Sequence, residues 1–192
     1  PAALGKVRVG VAQAFLSNLD ADTQAAFDAA LAKMKAAGVT VVPVDMPQLM
    51  EINGAIGFPL ALYEAFDDMV HYLKTNGSGL TMAALAKEIS SPDVKGTYDA
   101  LVIPRKLPGP NNTLVPAQPA YAAAMKTARP ALQKLYQRTF RQHQLDALIF
   151  PTVPRVAMDA TPDASSVPNF MTCLQNPDPG SNARLPGLQM RM

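Results

Sequence analysis

Residues 6–14 read KVRVGVAQA and residues 38–44 read GVTVVPV, and these two runs decide the fold. In the first run valine recurs at every second position, at Val7, Val9 and Val11, which is the period of a β-strand. The second run is rich in β-branched residues, which also favour a strand. The sequence therefore predicts two strands here.

A helix is predicted between the two strands. Asp20 or Asp22 can cap its start, and Gly38 ends it. One face of the helix is apolar, with Phe27, Ala30, Leu31 and Met34. The order strand–helix–strand predicts a parallel pair with a right-handed crossover. We expect an α/β fold, with a mixed β-sheet flanked by helices on both faces.

Helices are predicted to dominate the rest of the chain. Residues 47–74 and 120–143 have helical periodicity, and Pro130 should kink or split the second stretch. A shorter helix, with Thr81 as a candidate cap, should cover residues 80–89. Residues 145–150 (LDALIF) read as a buried strand that ends at Pro151.

Proline-rich stretches predict loops. Residues 107–119 should form an ordered surface loop, because prolines, a glycine and two asparagines cluster there. The chain after Val156 should also be rich in loops, with markers at Pro162, Pro168, Pro177, Pro179, Gly180, Pro186 and Gly187.

Composition narrows the functional classes. The chain has 192 residues, which suits a single α/β region over 1–192, and 48% of them are hydrophobic, which is enough for a core. Only 17% are charged and the net charge is +2, so no nucleic-acid or anionic-membrane partner is expected. No apolar run reaches the ~18 residues of a membrane span. The lone Cys173 excludes an internal disulfide and fits a reducing compartment, so we expect a cytoplasmic protein.

The sequence offers little catalytic chemistry of its own. His71 and His143 have no second His or Cys at ligand spacing, so no metal is expected. No G-x-S-x-G surrounds a serine; Ser181, after Gly180, is better explained as a loop serine that bonds the backbone. Cys173 is expected to play a small apolar role. Phosphate-cradling glycine motifs are missing, so no cofactor is expected.

Several segments together resemble the amidase signature family. They are residues 6–15, 38–47, 58–73, 145–157 (LDALIFPTVPRVA) and 176–188 (NPDPGSNARLPGL). Their order is similar to the second half of that family, and the resemblance spans nearly the whole chain. Residues 103–115 (IPRKLPGPNNTLV) resemble a subgroup that acts on arylacetamide-type substrates, such as mandelamide or indoleacetamide hydrolases.

This resemblance implies amide hydrolysis by a serine nucleophile, a bridging serine in a cis peptide and a neutral lysine base. Those residues belong to a Gly/Ser-rich signature earlier in such enzymes, and this sequence contains no such run. We therefore assign no catalytic residue and expect this to be the C-terminal part, without the N-terminal catalytic part. Its role would be to build the sheet and wall the substrate pocket, with Thr152, Val153, Asn182 and Leu185 as candidate substrate-binding residues.

The ending departs from the family pattern at one residue. Relatives tend to have glycine where Arg184 stands, and glycine there usually marks a positive φ or a close backbone approach. The expected partners are a small amide substrate, the remaining N-terminal part of the same enzyme and a second copy in a homodimer. Two alternatives stay open: a non-catalytic small-molecule-binding α/β module, and a scaffold fragment with no ligand.

Overall fold

The computed structural model describes residues 4–161, 164 and 166–190, which fall into two compact units. The first comprises residues 1–53 and 130–192 and is called the sheet unit; the second, residues 54–129, is called the helical unit. The sheet unit is assembled from two stretches that are distant in sequence, whereas the helical unit is one continuous stretch.

A three-stranded parallel sheet lies in the sheet unit, with strand order β2-β1-β5. Strand β1 (Arg8–Ala12) pairs in parallel with β2 (Thr40–Val44), and helix α1 (Ala21–Ala36) connects them. The predicted strand–helix–strand unit is therefore confirmed. Asp20 caps α1 by accepting the Thr23 N–H at 2.7 Å, and Gly38 follows the helix with φ of 93°.

Strand β5 (Ala147–Leu148) is shorter than the six-residue strand that was predicted. It pairs in parallel with β1, and the Ile149 N–H donates to Gly10 O at 2.9 Å just past the strand. The pairing cannot extend far beyond this bond, because Pro151 has no N–H to donate. Both residues of β5 are half-buried rather than buried.

The long helical stretch predicted over residues 120–143 is confirmed, but near Pro130 it has a π-helical turn and is not split in two. Helix α6 (Ala117–Ala123) leads through a π-helical turn (Ala124–Ala128) into α7 (Arg129–His143). Pro130 is the second residue of α7 and cannot donate to the carbonyl one turn earlier, which accounts for a wider turn at this place.

The helical unit differs from the predictions in two places. The helical stretch 47–74 is two helices, α2 (Leu49–Gly54) and α3 (Gly57–Thr75), the first of which begins in the sheet unit. The predicted surface loop at residues 107–119 is wrong in part, because β3 (Lys106–Pro108) and β4 (Leu114–Pro116) pair as an antiparallel hairpin and α6 follows at once. Pro108 and Pro116 end the two strands, Pro110 lies in the turn and Pro119 lies in the first turn of α6, all positions where the absence of an N–H costs little.

Two further helices precede this hairpin. Helix α4 (Met82–Lys87) is capped by Thr81, as predicted, and α5 (Pro92–Thr97) runs into a π-helical turn (Tyr98–Val102). A core of buried residues joins these elements to α3, namely Leu62, Met82, Val102, Leu107 and Ala117. Tyr63 and Tyr121 stack beside this core at 4.3 Å, and the Tyr121 hydroxyl donates to Glu64 at 2.7 Å.

The expectation of a loop-rich ending is wrong for two segments. Helix α8 (Val167–Leu174) and helix α9 (Pro177–Asn182) both lie after Val156. Pro168 and Pro177 stand in the first turns of these helices, where the N–H has no helical partner and the fixed φ of proline suits a helix. Of the predicted loop markers, Pro168 and Pro177 lie at helix starts, Pro179 and Gly180 lie within α9, and Pro186 and Gly187 follow α9 outside any helix or strand. Pro162 lies outside the described residues.

These elements define a mixed α/β fold, as predicted from the sequence, with its parallel and antiparallel strands in two separate sheets. No helix in the described part of the chain is both long and apolar enough to cross a bilayer.

Candidate functional site

The ends of β1 and β5 meet at the carboxyl edge of the parallel sheet. After β1 the chain makes a 3-10 turn (Gln13–Leu16) in which Phe15 is fully buried, and Phe15 stacks on Phe150 with ring centroids 4.2 Å apart. Pro151, next to Phe150, is fully buried as well. Because ligands of α/β proteins bind outside the carboxyl ends of parallel strands, this edge is the candidate functional site.

Asn176 joins the two loops at this edge. Its side chain is 0% exposed, and its amide nitrogen donates to Phe15 O at 2.9 Å and to Pro151 O at 2.7 Å. Both hydrogens of the amide are thereby used, and its oxygen accepts from Gln175 Nε2 at 3.2 Å. A buried amide with such bonds fixes both loops relative to α9, which begins at the next residue.

A second amide network anchors α9 to α2. Asp178 Oδ2 accepts from Asn53 Nδ2 at 2.8 Å and from Asn182 Nδ2 at 3.0 Å, and Asn182 Nδ2 also donates to Asn53 Oδ1 at 2.8 Å. Asn53 and Asn182 are both buried. Buried amides without partners would be costly, so these bonds to each other and to the half-buried Asp178 hold α9 in one position.

Asp20 fastens the segment that comes after Pro151. Its backbone N–H donates to Pro154 O at 2.9 Å, and its carboxylate accepts the N–H groups of Thr23 and Val156, each at 2.7 Å. The hydrogen bonds from Thr23 and from the Val156 N–H stabilise the charged form and lower the pKa of Asp20 below its ordinary value. The segment 151–156 is thus held at both ends, by Asn176 and by Asp20.

The four predicted pocket residues all lie in the sheet unit. Thr152 and Val153 are half-buried in the segment held by Asn176 and Asp20. Asn182 is buried and serves the anchoring network, which the sequence did not reveal, while Leu185 is 39% exposed just after α9. Thr152 and Val153 thus lie on one segment, Asn182 and Leu185 lie on another, and Asn176 links the two segments. Sequence reasoning missed Asn176. The sequence offered only one sign of Asn176, a polar residue next to Pro177.

Arg184 takes the backbone conformation usual for glycine. Its φ is 60°, its N–H donates to Ser181 O at 2.9 Å, and the Leu185 N–H donates to Gly180 O at 3.0 Å. This bond pair is a Schellman motif, the common helix ending in which the left-handed residue is usually glycine. Arg184 therefore stands in the left-handed position at which the sequence pattern of relatives leads one to expect glycine.

The other reactive side chains have structural surroundings. Ser181 is an exposed residue of α9, and its hydroxyl donates to Pro177 O at 3.0 Å, so it bonds the backbone as expected but within a helix. Cys173 is a half-buried residue of α8. In the described part of the chain, no group of three or more His, Cys, Asp and Glu side chains could hold a metal ion.

The fold and this edge define an α/β protein whose carboxyl-edge loops are fixed by buried asparagines. The profile of the Amidase family matches residues 1–192, and the chain belongs to this family. It is 36% identical to the mandelamide hydrolase of Pseudomonas putida over 184 residues, which cover 96% of this chain and 36% of the relative. It is 32% identical to the indoleacetamide hydrolase of Agrobacterium vitis, covering 99% of this chain and 40% of the relative.

Solved structures show the same fold. The native peptide amidase from Stenotrophomonas maltophilia matches 94% of this chain with a TM-score of 0.60 at 23% identity, and the match covers 35% of that protein. The crystal structure of PAM12A gives a TM-score of 0.64, also at 23% identity, over 94% of this chain and 35% of its own. The chain thus spans little more than a third of the length of the proteins that it matches.

Proposed function

We propose that the protein is an amide hydrolase that acts on small aryl or arylacetamide-type carboxamides, and that these residues form part of its sheet and substrate pocket. The observation that carries this proposal is the 36% identity with a mandelamide hydrolase over 96% of the chain. The likeness to indoleacetamide hydrolases supports the same substrate class, an apolar ring next to a primary amide.

The proposed chemistry is that of a serine nucleophile, a cis bridging serine and a lysine base, with the acyl group passing through a covalent intermediate. We place these residues in sequence outside the 192 residues, because no Gly/Ser-rich signature is present here. No catalytic residue of this chain is proposed. We propose that the remaining N-terminal part of the enzyme supplies them, and that this chain positions the walls around the substrate.

The proposed pocket walls are the two segments that Asn176 links, one after Pro151 and one that includes α9 and Leu185. Thr152 and Val153 lie on the segment that Asn176 and Asp20 fix, and a fixed wall lowers the entropic cost of binding a ligand. Leu185 offers exposed apolar surface that suits an aryl ring. Asn182 is proposed to hold this wall in place, since its amide is bound to Asn53 and Asp178.

A cytoplasmic location and a homodimer belong to the same proposal. The location rests on the lone cysteine, which suits a reducing compartment. Size-exclusion chromatography with light scattering measures the oligomeric state, and a monomer mass at micromolar concentration would contradict the dimer.

The test is ammonia release by the whole polypeptide that contains these residues. Mandelamide and indole-3-acetamide are compared with acetamide, and we expect kcat/KM to be higher for both aryl substrates. No ammonia from any of the three would contradict the proposal. Binding of the aryl amides in a calorimeter without turnover would favour a small-molecule-binding module instead.

A matched pair of variants tests the proposed wall. Leu185→Ala removes apolar surface and should lower kcat/KM for the aryl amides by about tenfold, the effect of one or two methylenes in an apolar pocket, with little change for acetamide. Ser181→Ala, an exposed neighbour on α9, should leave all three substrates unchanged. Equal losses for aryl and small amides in Leu185→Ala would argue against its contact with the ring.

A further inference from the structure

The helical unit has an open groove between the end of α3 and the start of α4. Its volume is about 610 Å³. All the residues that line it belong to the helical unit, namely Val70, Leu73, Lys74, Gly77, Gly79, Leu80, Thr81 and Met82. A volume of this size lies within the range of small-molecule sites.

The floor and the walls of the groove are apolar. Leu73 and Met82 form a buried floor, and Met82 belongs to the core of the helical unit. Val70 and Leu80 stand at the walls and remain 39% and 48% exposed. A ligand with an apolar body would remove part of this surface from water, which favours binding.

The rim of the groove is held in place by local hydrogen bonds. The Ser78 hydroxyl donates to Leu73 O at 3.1 Å and accepts the Leu80 N–H at 3.2 Å. Gly77 and Gly79 have φ of 61° and 70°, a conformation that glycine adopts without steric cost. The turn that carries Leu80 is therefore ordered before any ligand arrives, and less ordering entropy is lost on binding.

Lys74 is the one charged residue of the lining, which contains no acidic side chain. The ion pairs found in the described part of the chain are Lys95–Asp99 and Arg105–Asp67, so the Lys74 ammonium is not engaged in either. An exposed ammonium beside an apolar groove favours a ligand with one anionic group attached to an apolar body.

We propose that this groove binds a small amphipathic carboxylate, with its apolar body on Leu73, Leu80 and Met82 and its carboxylate beside Lys74. The inference does not depend on the proposed function, because it is carried by the groove alone. Arylacetates, the acids that hydrolysis of arylacetamides releases, belong to this ligand class. If the enzyme is the proposed hydrolase, its product could occupy this groove in the helical unit.

The experiment titrates the purified protein with phenylacetate and, separately, with 2-phenylethanol, which has the same aryl body without the charge and has no amide to hydrolyse. Binding is followed by NMR through the methyl signal of Met82 in the floor. We expect this signal to move and saturate with both ligands, and phenylacetate to bind about fivefold more tightly, the most that one exposed ion pair provides. Salt at about 0.5 M should remove most of this preference.

Two exposed lysines make a matched pair. Lys74→Gln should abolish the preference for phenylacetate and leave 2-phenylethanol binding unchanged, whereas Lys126→Gln, at an exposed position of the same unit outside the groove, should change neither. The inference is overturned if the Met82 signal moves with neither ligand, if both bind equally to the wild-type protein, or if the two lysine variants behave alike. A failure to hydrolyse amides would bear on the proposed function alone.

Discussion

Arg184 gives the sharpest stability prediction. With φ of 60° at the end of α9, an arginine pays the steric cost of the left-handed region, about 1–2 kcal/mol, which glycine avoids. Glycine in turn loses more backbone entropy on folding than alanine, about 0.5–1 kcal/mol. The difference predicts that Arg184→Gly is more stable than Arg184→Ala by about 0.5–1 kcal/mol.

Comparing the two variants with each other removes the effect of the charge. Both lose the guanidinium near the C-terminus of α9, where a cation contributes about 0.3–1 kcal/mol. Arg184→Ala keeps the steric cost and should be less stable than the wild type. Arg184→Gly loses the cation but is relieved of the cost, so it should equal or slightly exceed the wild type.

Urea unfolding followed by circular dichroism measures these differences, since a change in midpoint at constant slope reports stability. Ser181 provides the control, because it lies inside α9 with a helical backbone. There the order should reverse, with Ser181→Ala more stable than Ser181→Gly by up to about 1 kcal/mol. If alanine is as good as glycine at position 184, the left-handed cap is not what limits stability there and the reasoning fails.

Three further changes test the carboxyl edge and the sheet. Asn176→Ala leaves two buried carbonyl oxygens without their donor and should cost about 2–6 kcal/mol in urea unfolding, at ~1–3 kcal/mol for each group; an unchanged midpoint would contradict the role of Asn176. The pKa of Asp20 is lowered in the folded state, so the charged carboxylate stabilises the folded protein. This contribution to the free energy of unfolding is complete above the ordinary pKa of 3.8 and is lost as the pH falls through the folded pKa. The Tm advantage of the wild type over Asp20→Asn should therefore shrink in acid, and a pH-independent difference would exclude this cause. Gly10→Ala should cost about 1–3 kcal/mol by overpacking, because a Cβ would lie 2.6 Å from Leu145 Cδ1 and 2.7 Å from Leu148 Cδ2. Adding Leu148→Ala should cost less in that variant than in the wild type, and additive losses would exclude the clash.

Local periodicity was enough to predict the start of the fold. The alternating valines of β1, the β-branched run of β2 and the cap at Asp20 each act through neighbours close in sequence, so the pattern contains the necessary information. The irregularity at Pro130 was predictable for the same reason, since proline removes a hydrogen bond within its own helix.

The proline-rich segments could not be predicted correctly from composition. A proline disfavours helix interiors but suits the first turn, and the two cases differ only in whether a helix precedes the proline or begins at it. Pro168 and Pro177 begin helices, while prolines in the β3–β4 hairpin close strands. Whether a proline begins a helix or ends a strand depends on packing with residues that are distant in sequence.

The candidate site shows the same limit more strongly. Thr152 and Leu185 could be nominated because they come after a strand or a turn, which the sequence displays. The roles of Asn53 and Asn176 depend on partners 125 and 161 residues away, Asp178 and Phe15 O, and a single sequence gives no sign of such pairs.

The division of the sheet unit into two stretches bears on the order of events during synthesis. β1 and β2 can pair as soon as residue 44 has emerged from the ribosome, but one edge of β1 waits for β5, and Phe15 O waits for Asn176, 161 residues later. The edge of β1 stays open while the 104 residues from Val44 to Leu148 are made, an interval of roughly 5–20 s at about 5–20 residues per second. Throughout it the nascent chain displays an open strand edge, the kind of surface that chaperones shield and that misassembles when it is left uncovered.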